Sequence, residues 1–294
     1  YENTDPEKLR PDYLPPSVWR LSEKRSLGAV LDTYAFGLYK LGKLEEAEQA
    51  YKKAVELSPS ADIVVRYAKC LEDLHKDSVA FNVLKDAVES GDTDPKLVSE
   101  LRALAVKRMG NTAFVDSLVE SVKRKSAASR RAEIEKKVAE GIKQAYDAPG
   151  FKLAALQGDS VALDQFRGKW VVVDFWATWC GPCKSSFPYL EQFWKNHKDK
   201  SDVVVLAVNC WENKPAPERF RIVKAFISKN GYTFPVLLDV KDQVVKAYGV
   251  EGIPTKFFVG PDGKVYLKEV GFGGPTMLED METALDLLKQ KVGA

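Results

Sequence analysis

Residues 171–184 read VVVDFWATWCGPCK, an apolar run that ends in two cysteines separated by Gly181 and Pro182. The run is typical of a buried strand, and a proline is tolerated near the first position of a helix because its missing N–H would have no partner there. We therefore expect a helix to begin at Cys180. Free N–H groups at a helix start stabilise a thiolate, so the pKa of Cys180 should lie well below that of a free cysteine, with Cys183 one turn further along.

Two cysteines in this spacing could bind a metal, form a structural disulfide, catalyse hydrolysis or exchange electrons. A zinc site needs two more ligands, whereas Cys70 and Cys210 stand alone and are expected to be buried and unreactive. A cysteine hydrolase needs a histidine partner. Of the two histidines, His75 lies in the repeats described below and His197 at a helix end, so neither is a suitable partner. The short Gly-Pro loop favours redox work over a structural role, with the first cysteine attacking a substrate disulfide and the second resolving the mixed disulfide. Such chemistry needs no metal and no cofactor beyond the two thiols.

The composition fits a globular chain that binds neither nucleic acid nor membrane. Hydrophobic residues make up 45% and charged residues 29% of the 294 positions, and the net charge is +2. This charge gives no reason to expect an anionic partner, and the basic stretch at 123–131 is typical of a solvated helix face. No apolar run approaches the ~18 residues of a membrane span.

The first half of the chain is repetitive from about residue 28. Small residues recur 33 positions apart, as Ala35, Ala47 and Ala54 followed by Ala68, Ala80 and Ala87. A period near 34 predicts stacked helix-turn-helix units, and about three units are needed for stability. A third copy over 96–125 keeps Gly110 in its turn, so the repeats are assigned to 28–125.

The repeats are flanked by two segments of different character. Prolines at 6, 11, 15 and 16 predict an extended leader over 1–27, because the residue before a proline avoids helix. Apolar residues at helical spacing predict a linker helix over 126–149, which Pro149 and Gly150 would stop.

The remaining residues, 150–294, alternate apolar strands with helical stretches. Parallel crossovers come first, and two final strands joined by PDGK at 261–264 read as an antiparallel hairpin. The fold class predicted for the chain is therefore an all-α repeat region followed by an α/β domain with a central mixed sheet.

The first repeat, LDTYAFGLYKLGKLEEAEQAYKKAVELSPS at 31–60, resembles the tetratricopeptide repeat. The resemblance implies antiparallel helix pairs whose concave face often holds a peptide or a partner protein. A spacer or scaffold role stays an equal alternative, because a repeat architecture does not fix a ligand.

Two motifs in the second half resemble a family of redox proteins. FKLAALQGDSVALDQFRGKWVVVDFWATWCGPC at 151–183 and GVEGIPTKFFVGPDGKV at 249–265 are similar to the TlpA/ResA-like branch of the redoxin superfamily. The resemblance covers about 151–294 and implies a thioredoxin fold, thiol-disulfide oxidoreductase activity and an extracytoplasmic location such as the periplasm. It also implies a cis Pro254 that faces the two cysteines.

The resemblance assigns roles to individual residues. Asp174 corresponds to a buried aspartate; desolvation would raise its pKa and let it take the proton of Cys183. Substrate would bind at the residues around the dithiol, which are Trp179, Gly181, Pro182, Ile253 and Pro254. The backbone of Ile253 would pair with an extended substrate segment. One position departs from the family, because Ser186 stands where these proteins often have a glutamate. The acid–base role of that glutamate would then fall to Asp174 or be absent.

The expected function is reduction of disulfides in protein or peptide substrates, with electrons supplied by another thiol protein. A repeat-mediated interaction protein or redox sensor, using the thioredoxin fold as a scaffold, is the alternative from another class. A thiol peroxidase is a second alternative, since Thr178 stands two residues before Cys180, although Asp174 occupies the place where a peroxidase would have proline. A cytoplasmic location is the alternative to the periplasm.

Overall fold

The computed structural model describes Arg10, residues 16–200 and residues 202–293. The chain divides into two units between Ala128 and Ser129. The first fifteen residues of the predicted leader, apart from Arg10, lie outside the described residues. The rest of that prediction is wrong, because helix α1 (Pro16–Lys40) begins at Pro16. The helix can begin at Pro16 because a proline at the first helical position costs no hydrogen bond.

The first unit is built from consecutive helices that pack against their neighbours. After α1 come α2 (Leu44–Leu57), α3 (Ala61–Asp73), α4 (Asp77–Glu89), α5 (Pro95–Met109) and the start of α6 (Ala113–Lys143). Tight turns within the three helix pairs hold Gly42, His75 and Gly110 at φ 74°, 57° and 76°. The helix-turn-helix architecture that the period predicted is therefore observed, while the assignment to the tetratricopeptide family stays a prediction.

The repeated alanines lie where helices cross. Ala35, Ala47 and Ala68 are fully or almost fully buried, and the larger residue Leu71 fills the adjoining core. Small side chains let helix backbones approach closely, which explains their recurrence at the repeat period. Cys70 is buried in the same core, and burial raises its pKa to about 11.

The linker helix predicted for 126–149 is wrong as a separate element. Helix α6 runs without interruption from Ala113 to Lys143, because residues 113–140 contain neither proline nor glycine. From Ser129 onward this helix belongs to the second unit, where Ile134 and Val138 join the core. The apolar stripe therefore packs into a core as expected, but the helix that carries it begins at Ala113.

The second unit is a mixed sheet covered by helices. Its strands are β1 (Tyr146–Asp147), β2 (Lys152–Ala155), β3 (Ser160–Ala162), β4 (Trp170–Trp176), β5 (Val203–Asn209), β6 (Val236–Leu238), β7 (Thr255–Val259) and β8 (Lys264–Val270), and its further helices are α7 (Gly181–His197), α8 (Ala216–Asn230), α9 (Gln243–Ala247) and α10 (Met277–Val292). The strand order is β1-β8-β7-β4-β5-β6-β2-β3. Strands β4, β5 and β6 are parallel, and β7 with β8 is an antiparallel hairpin, as the sequence predicted. The three short strands β1, β2 and β3 were not predicted.

The central strand β4 is buried on both faces. Trp170, Val172 and Trp176 face the core beneath α7, α8 and α10, while Val171 and Phe175 face the opposite core, to which α9 contributes. This alternation follows from the two-residue period of a strand and explains the continuous apolar run. Asp174 has the parity of Val172 and Trp176, so its side chain is directed to the face that also carries the two cysteines.

None of the described helices is both long and apolar enough to cross a membrane.

Helix α6 and strand β8 are in close contact at Gly141. A Cβ at Gly141 would overlap the backbone carbonyl of Tyr266. Gly141→Ala should therefore destabilise the protein by about 1–3 kcal/mol, seen as a lower Tm by circular dichroism. Gly37→Ala is the matched control, because Gly37 is also helical and has open space around it. An unchanged Tm for Gly141→Ala would contradict this packing.

Candidate active site

The two cysteines lie where β4 passes into α7. Cys180 is the N-cap residue of α7, and its Sγ accepts a hydrogen bond of 3.1 Å from the backbone N–H of Cys183. Pro182 lies in the first turn, as predicted. A disulfide with an S–S distance of 2.02 Å joins Cys180 to Cys183. The strand-to-helix junction thus places Cys180 Sγ at the free N–H groups of a helix start.

The cis-proline segment lies beside the dithiol. The Ile253–Pro254 peptide bond is cis, and the Ile253 carbonyl oxygen lies 3.6 Å from Cys180 Sγ. Ile253 is half-buried, and the Pro254 carbonyl accepts the backbone N–H of Gly271 at 2.8 Å. The structure therefore brings together two segments that are 73 positions apart in the chain.

The surface around the dithiol is partly apolar. Trp179 is 59% exposed, and its indole N–H donates to the backbone carbonyl of Trp211 at 2.9 Å. Gly181 and Pro182 are exposed as well, whereas Cys180 is only 3% exposed. The rim formed by these residues is accessible to a partner, and the sulfurs lie just below it.

Asp174 is fully buried and has a charged partner that the sequence analysis missed. Lys256 Nζ lies 3.0 Å from Asp174 Oδ1, and the two residues are opposite each other in the register of β4 and β7. Burial raises the pKa of Asp174, and the charge of Lys256 partly opposes this effect. In the described part of the chain no hydrogen bond joins Asp174 to either cysteine. A lone lysine in the apolar run TKFFV was the signal that could have revealed this pair.

A second polar group, also missed, fixes the backbone just before Cys180. Glu212 accepts hydrogen bonds from the backbone N–H and the hydroxyl of Thr178, at 2.6 and 3.0 Å. It also accepts from Asn209, which in turn accepts from the buried Arg219. The loop that carries Glu212 has no regular pattern, so no local signal indicated this contact.

Ser186 forms no acid–base contact with the sulfurs. It is buried, and its hydroxyl donates to the Cys183 carbonyl at 2.8 Å. The serine thus returns its hydrogen bond to its own helix, as is common for hydroxyl side chains in helices.

Other cysteines and metal-ligand residues contribute nothing to this centre. Cys210 is buried at the end of β5, and burial strongly raises its pKa, so its thiol is unreactive. Within residues 16–200 and 202–293, no three His, Cys, Asp or Glu side chains are grouped so that they could hold a metal ion.

A mixed sheet with a dithiol at a helix start and a cis-proline beside it defines the class of thioredoxin-fold redox proteins. Residues 145–268 match the AhpC/TSA family. Among curated proteins, the chain is 39% identical to the thiol-disulfide oxidoreductase ResA of Bacillus subtilis over 141 residues. This aligned region covers 48% of this chain and 75% of the relative. The chain is also 39% identical over 142 residues to ResA of Geobacillus kaustophilus, covering 48% and 76%.

A solved structure also aligns with this region. StoA from Bacillus subtilis matches with 26% identity and a TM-score of 0.39, covering 46% of this chain and 97% of StoA. The chain belongs to the family of ResA thiol-disulfide oxidoreductases, and it is a thiol-disulfide oxidoreductase.

Proposed function

We propose that the protein reduces disulfides in protein or peptide substrates through Cys180 and Cys183. The observation that carries this proposal is the position of Cys180 Sγ, which accepts the Cys183 N–H at the start of α7 and lies beside the Ile253 carbonyl. N–H groups and the helix dipole stabilise the thiolate, which is the attacking species. The complete burial of Cys183 suits a sulfur that meets the substrate only after a mixed disulfide has formed.

The exchange proceeds in two steps. The Cys180 thiolate attacks one sulfur of the substrate disulfide, so that a mixed disulfide forms and one substrate thiolate leaves. Cys183 then loses its proton to Asp174 and attacks Cys180 Sγ, which releases the second substrate thiolate and closes the intramolecular disulfide. Two electrons pass from the dithiol to the substrate, and a thiol donor protein reduces the enzyme again.

Asp174 is proposed as the base of the second step. It is buried on the sheet face that carries both cysteines, and its raised pKa makes it a better proton acceptor than an exposed carboxylate. Ser186 carries no carboxylate that could share this role, and its hydroxyl donates to the Cys183 carbonyl.

Substrate is proposed to bind along the rim described above. Trp179, Gly181 and Pro182 offer an exposed surface next to Cys180, and the half-buried backbone of Ile253 can pair with an extended segment beside Pro254. A partner on the helical repeats, and a periplasmic or otherwise extracytoplasmic location, remain proposals that rest on the sequence resemblances.

The peroxidase alternative is not favoured. A peroxidase would use the Thr178 hydroxyl to orient a peroxide towards Cys180. Here that hydroxyl donates to Glu212 Oε2 at 3.0 Å, and Glu212 also holds the Thr178 N–H. The threonine is therefore engaged in fixing its own backbone.

The proposal predicts measurable turnover. The purified full-length protein should reduce insulin disulfides in the presence of a small-molecule dithiol, at a rate well above that of the dithiol alone. Insulin precipitation followed by light scattering is the assay, and heat-denatured protein is the control. A rate equal to that of the dithiol alone would contradict the proposal.

A further inference from the structure

Arg219, in the first turn of α8, is a buried cation that takes no part in the disulfide exchange itself. Its side chain is 1% exposed. The guanidinium donates to the side chain and the carbonyl of Asn209 at 3.0 and 3.3 Å, to the Val240 carbonyl at 3.1 Å and to Asp242 Oδ1 at 3.3 Å. A buried charge is costly unless it is hydrogen-bonded and paired. The partners of Arg219 therefore indicate what this charge holds in place.

A first path of hydrogen bonds runs from Arg219 to Thr178. Asn209, which accepts from Arg219, donates its own amide N–H to Glu212 Oε1 at 2.9 Å. Glu212 in turn accepts the backbone N–H and the hydroxyl of Thr178. The backbone two residues before Cys180 is thereby tied to α8.

A second path runs from Arg219 to the neighbouring residue, Trp179. Asp242 Oδ1 accepts from Arg219 and, at 2.8 Å, from the backbone N–H of Trp211. The Trp211 carbonyl accepts the indole N–H of Trp179 at 2.9 Å. Two separate paths thus begin at one guanidinium and end at adjacent residues, Thr178 and Trp179.

The second path passes through two residues with unusual backbone angles. Trp211 and Asp242 have φ values of 54° and 51°, in the left-handed region that favours glycine. A bulky residue such as tryptophan keeps this conformation where its surroundings hold it. Here the Asp242 carboxylate binds the Trp211 N–H, and the Trp211 carbonyl reaches the indole of Trp179.

The two paths act on the rim more than on the attacking sulfur. Trp179 is 59% exposed, so its indole needs a hydrogen bond to keep one orientation at the surface. Cys180 is 3% exposed, and its Sγ is fixed separately by the Cys183 N–H of α7. Loss of Arg219 should therefore release the indole while the sulfur keeps its position.

We propose that Arg219 is a positioning residue that fixes Trp179 and so sets the preference of the site for peptide disulfides over small ones. The inference rests on the proposed function, in which the rim binds an extended substrate segment. An indole that is already ordered loses less conformational entropy when a peptide packs against it. A small disulfide that contacts the sulfur without covering the rim gains little from this order.

The test compares two disulfides in the full-length Cys183→Ser protein, which stops after the first attack. The rate constant for mixed-disulfide formation is measured by acid quenching and intact mass, with a disulfide-bonded peptide and with hydroxyethyl disulfide. Arg219→Met should lower the rate constant for the peptide by about tenfold, the upper range expected for ordering one side chain. The rate constant for hydroxyethyl disulfide should stay close to that of the parent protein. Equal slowing with both disulfides, or no slowing with either, overturns the proposal.

The indole N–H of Trp179 provides a readout that a general loss of stability would not produce. Its signal in a ¹H–¹⁵N spectrum of the full-length protein can be assigned with Trp179→Phe. Solvent exchange of this proton should be slow in the wild type, because the Trp211 carbonyl accepts it. Arg219→Met should accelerate the exchange. Exchange as slow as in the wild type overturns the proposal.

Variants of Asp242 keep the test decisive if Arg219→Met does not fold. The Asp242 side chain is 37% exposed, and both glycine and asparagine tolerate its positive φ. Asp242→Gly removes the acceptor of the Trp211 N–H and should slow attack on the peptide. Asp242→Asn keeps an acceptor oxygen and should restore much of that rate.

Glu218→Gln is the matched control for these variants. Glu218 precedes Arg219 on α8, but its side chain is 38% exposed and pairs with Lys214 at 3.3 Å. This variant should keep the peptide rate of the parent protein. Equal peptide rates for Asp242→Gly and Glu218→Gln overturn the proposal.

The outcomes separate this inference from the proposed function. If the wild-type protein shows no exchange that depends on Cys180, the proposed function itself fails. If the wild type turns over while Arg219→Met and Asp242→Gly keep its ratio of peptide to hydroxyethyl disulfide rates, only the role of Arg219 fails.

Discussion

Cys180→Ser is expected to abolish disulfide exchange in the full-length protein. The sulfur at the start of α7 is the proposed attacking atom, and a serine hydroxyl in its place is a far weaker nucleophile that forms no mixed disulfide. Insulin reduction should therefore fall to the rate of the small-molecule dithiol alone. Turnover that survives this substitution would contradict the assignment of Cys180 as the attacking residue.

Replacing the second cysteine distinguishes the proposed roles of the two sulfurs. Cys183→Ser should still react with a disulfide peptide, but it should stop as a mixed disulfide because the resolving sulfur is missing. Intact-mass spectrometry should show one peptide attached, and peptide mapping should locate it on Cys180. Cys70→Ala is the matched control, because Cys70 is a buried thiol of the first unit, and it should retain full turnover. A peptide attached to any other cysteine would contradict the order of attack.

The second large effect concerns the buried pair of Asp174 and Lys256. The free-energy cost of removing two charges from water is not fully offset by a single ion-pair contact of 3.0 Å. The double variant Asp174→Val, Lys256→Met should therefore be more stable to unfolding than the wild type by about 1–4 kcal/mol near pH 7. Lys256→Met alone should be less stable than the double variant, because it leaves the carboxyl buried without a cation.

The sign of the pH dependence follows from the raised pKa of Asp174. A carboxyl whose pKa is higher in the folded than in the unfolded state imposes no penalty while both states are protonated, at a pH below its ordinary value. As the pH rises through the folded-state pKa, the wild type loses stability that the double variant keeps. Urea unfolding should show an advantage of the double variant that is larger at pH 8 than at pH 4. An advantage that shrinks as the pH rises would contradict the direction of the shift.

Local pattern was sufficient to predict the central part of the fold. The apolar run at 170–176 could only be a strand buried on both faces, and Pro182 after Cys180 marked the helix start. The hairpin of β7 and β8 followed from the turn residues at 261–264. By contrast, the edge strands β1 and β3 span two and three residues, and their pairing is set by distant partners, so no local pattern revealed them.

The candidate site was predicted less completely than the fold. The sequence indicated Cys180, Cys183 and Asp174 as site residues, and these lie within one strand and at the start of the next helix. Lys256 and Glu212 escaped because each acquires its partner through the tertiary structure. Lys256 meets Asp174 across the register of two strands, and Glu212 meets Thr178 from a loop 34 residues away. The spacing of these residues along the chain does not predict either contact.

The midpoint potential of the Cys180–Cys183 couple tests the central claim most directly. It can be measured by equilibrating the full-length protein with glutathione or dithiothreitol redox buffers and quantifying the free thiols by alkylation and mass. A reductant should have a value near that of thioredoxin, about −270 mV, because such a dithiol gives its electrons to most substrate disulfides. A value near −120 mV, as in strong oxidants, would contradict the proposal that the protein reduces its substrates.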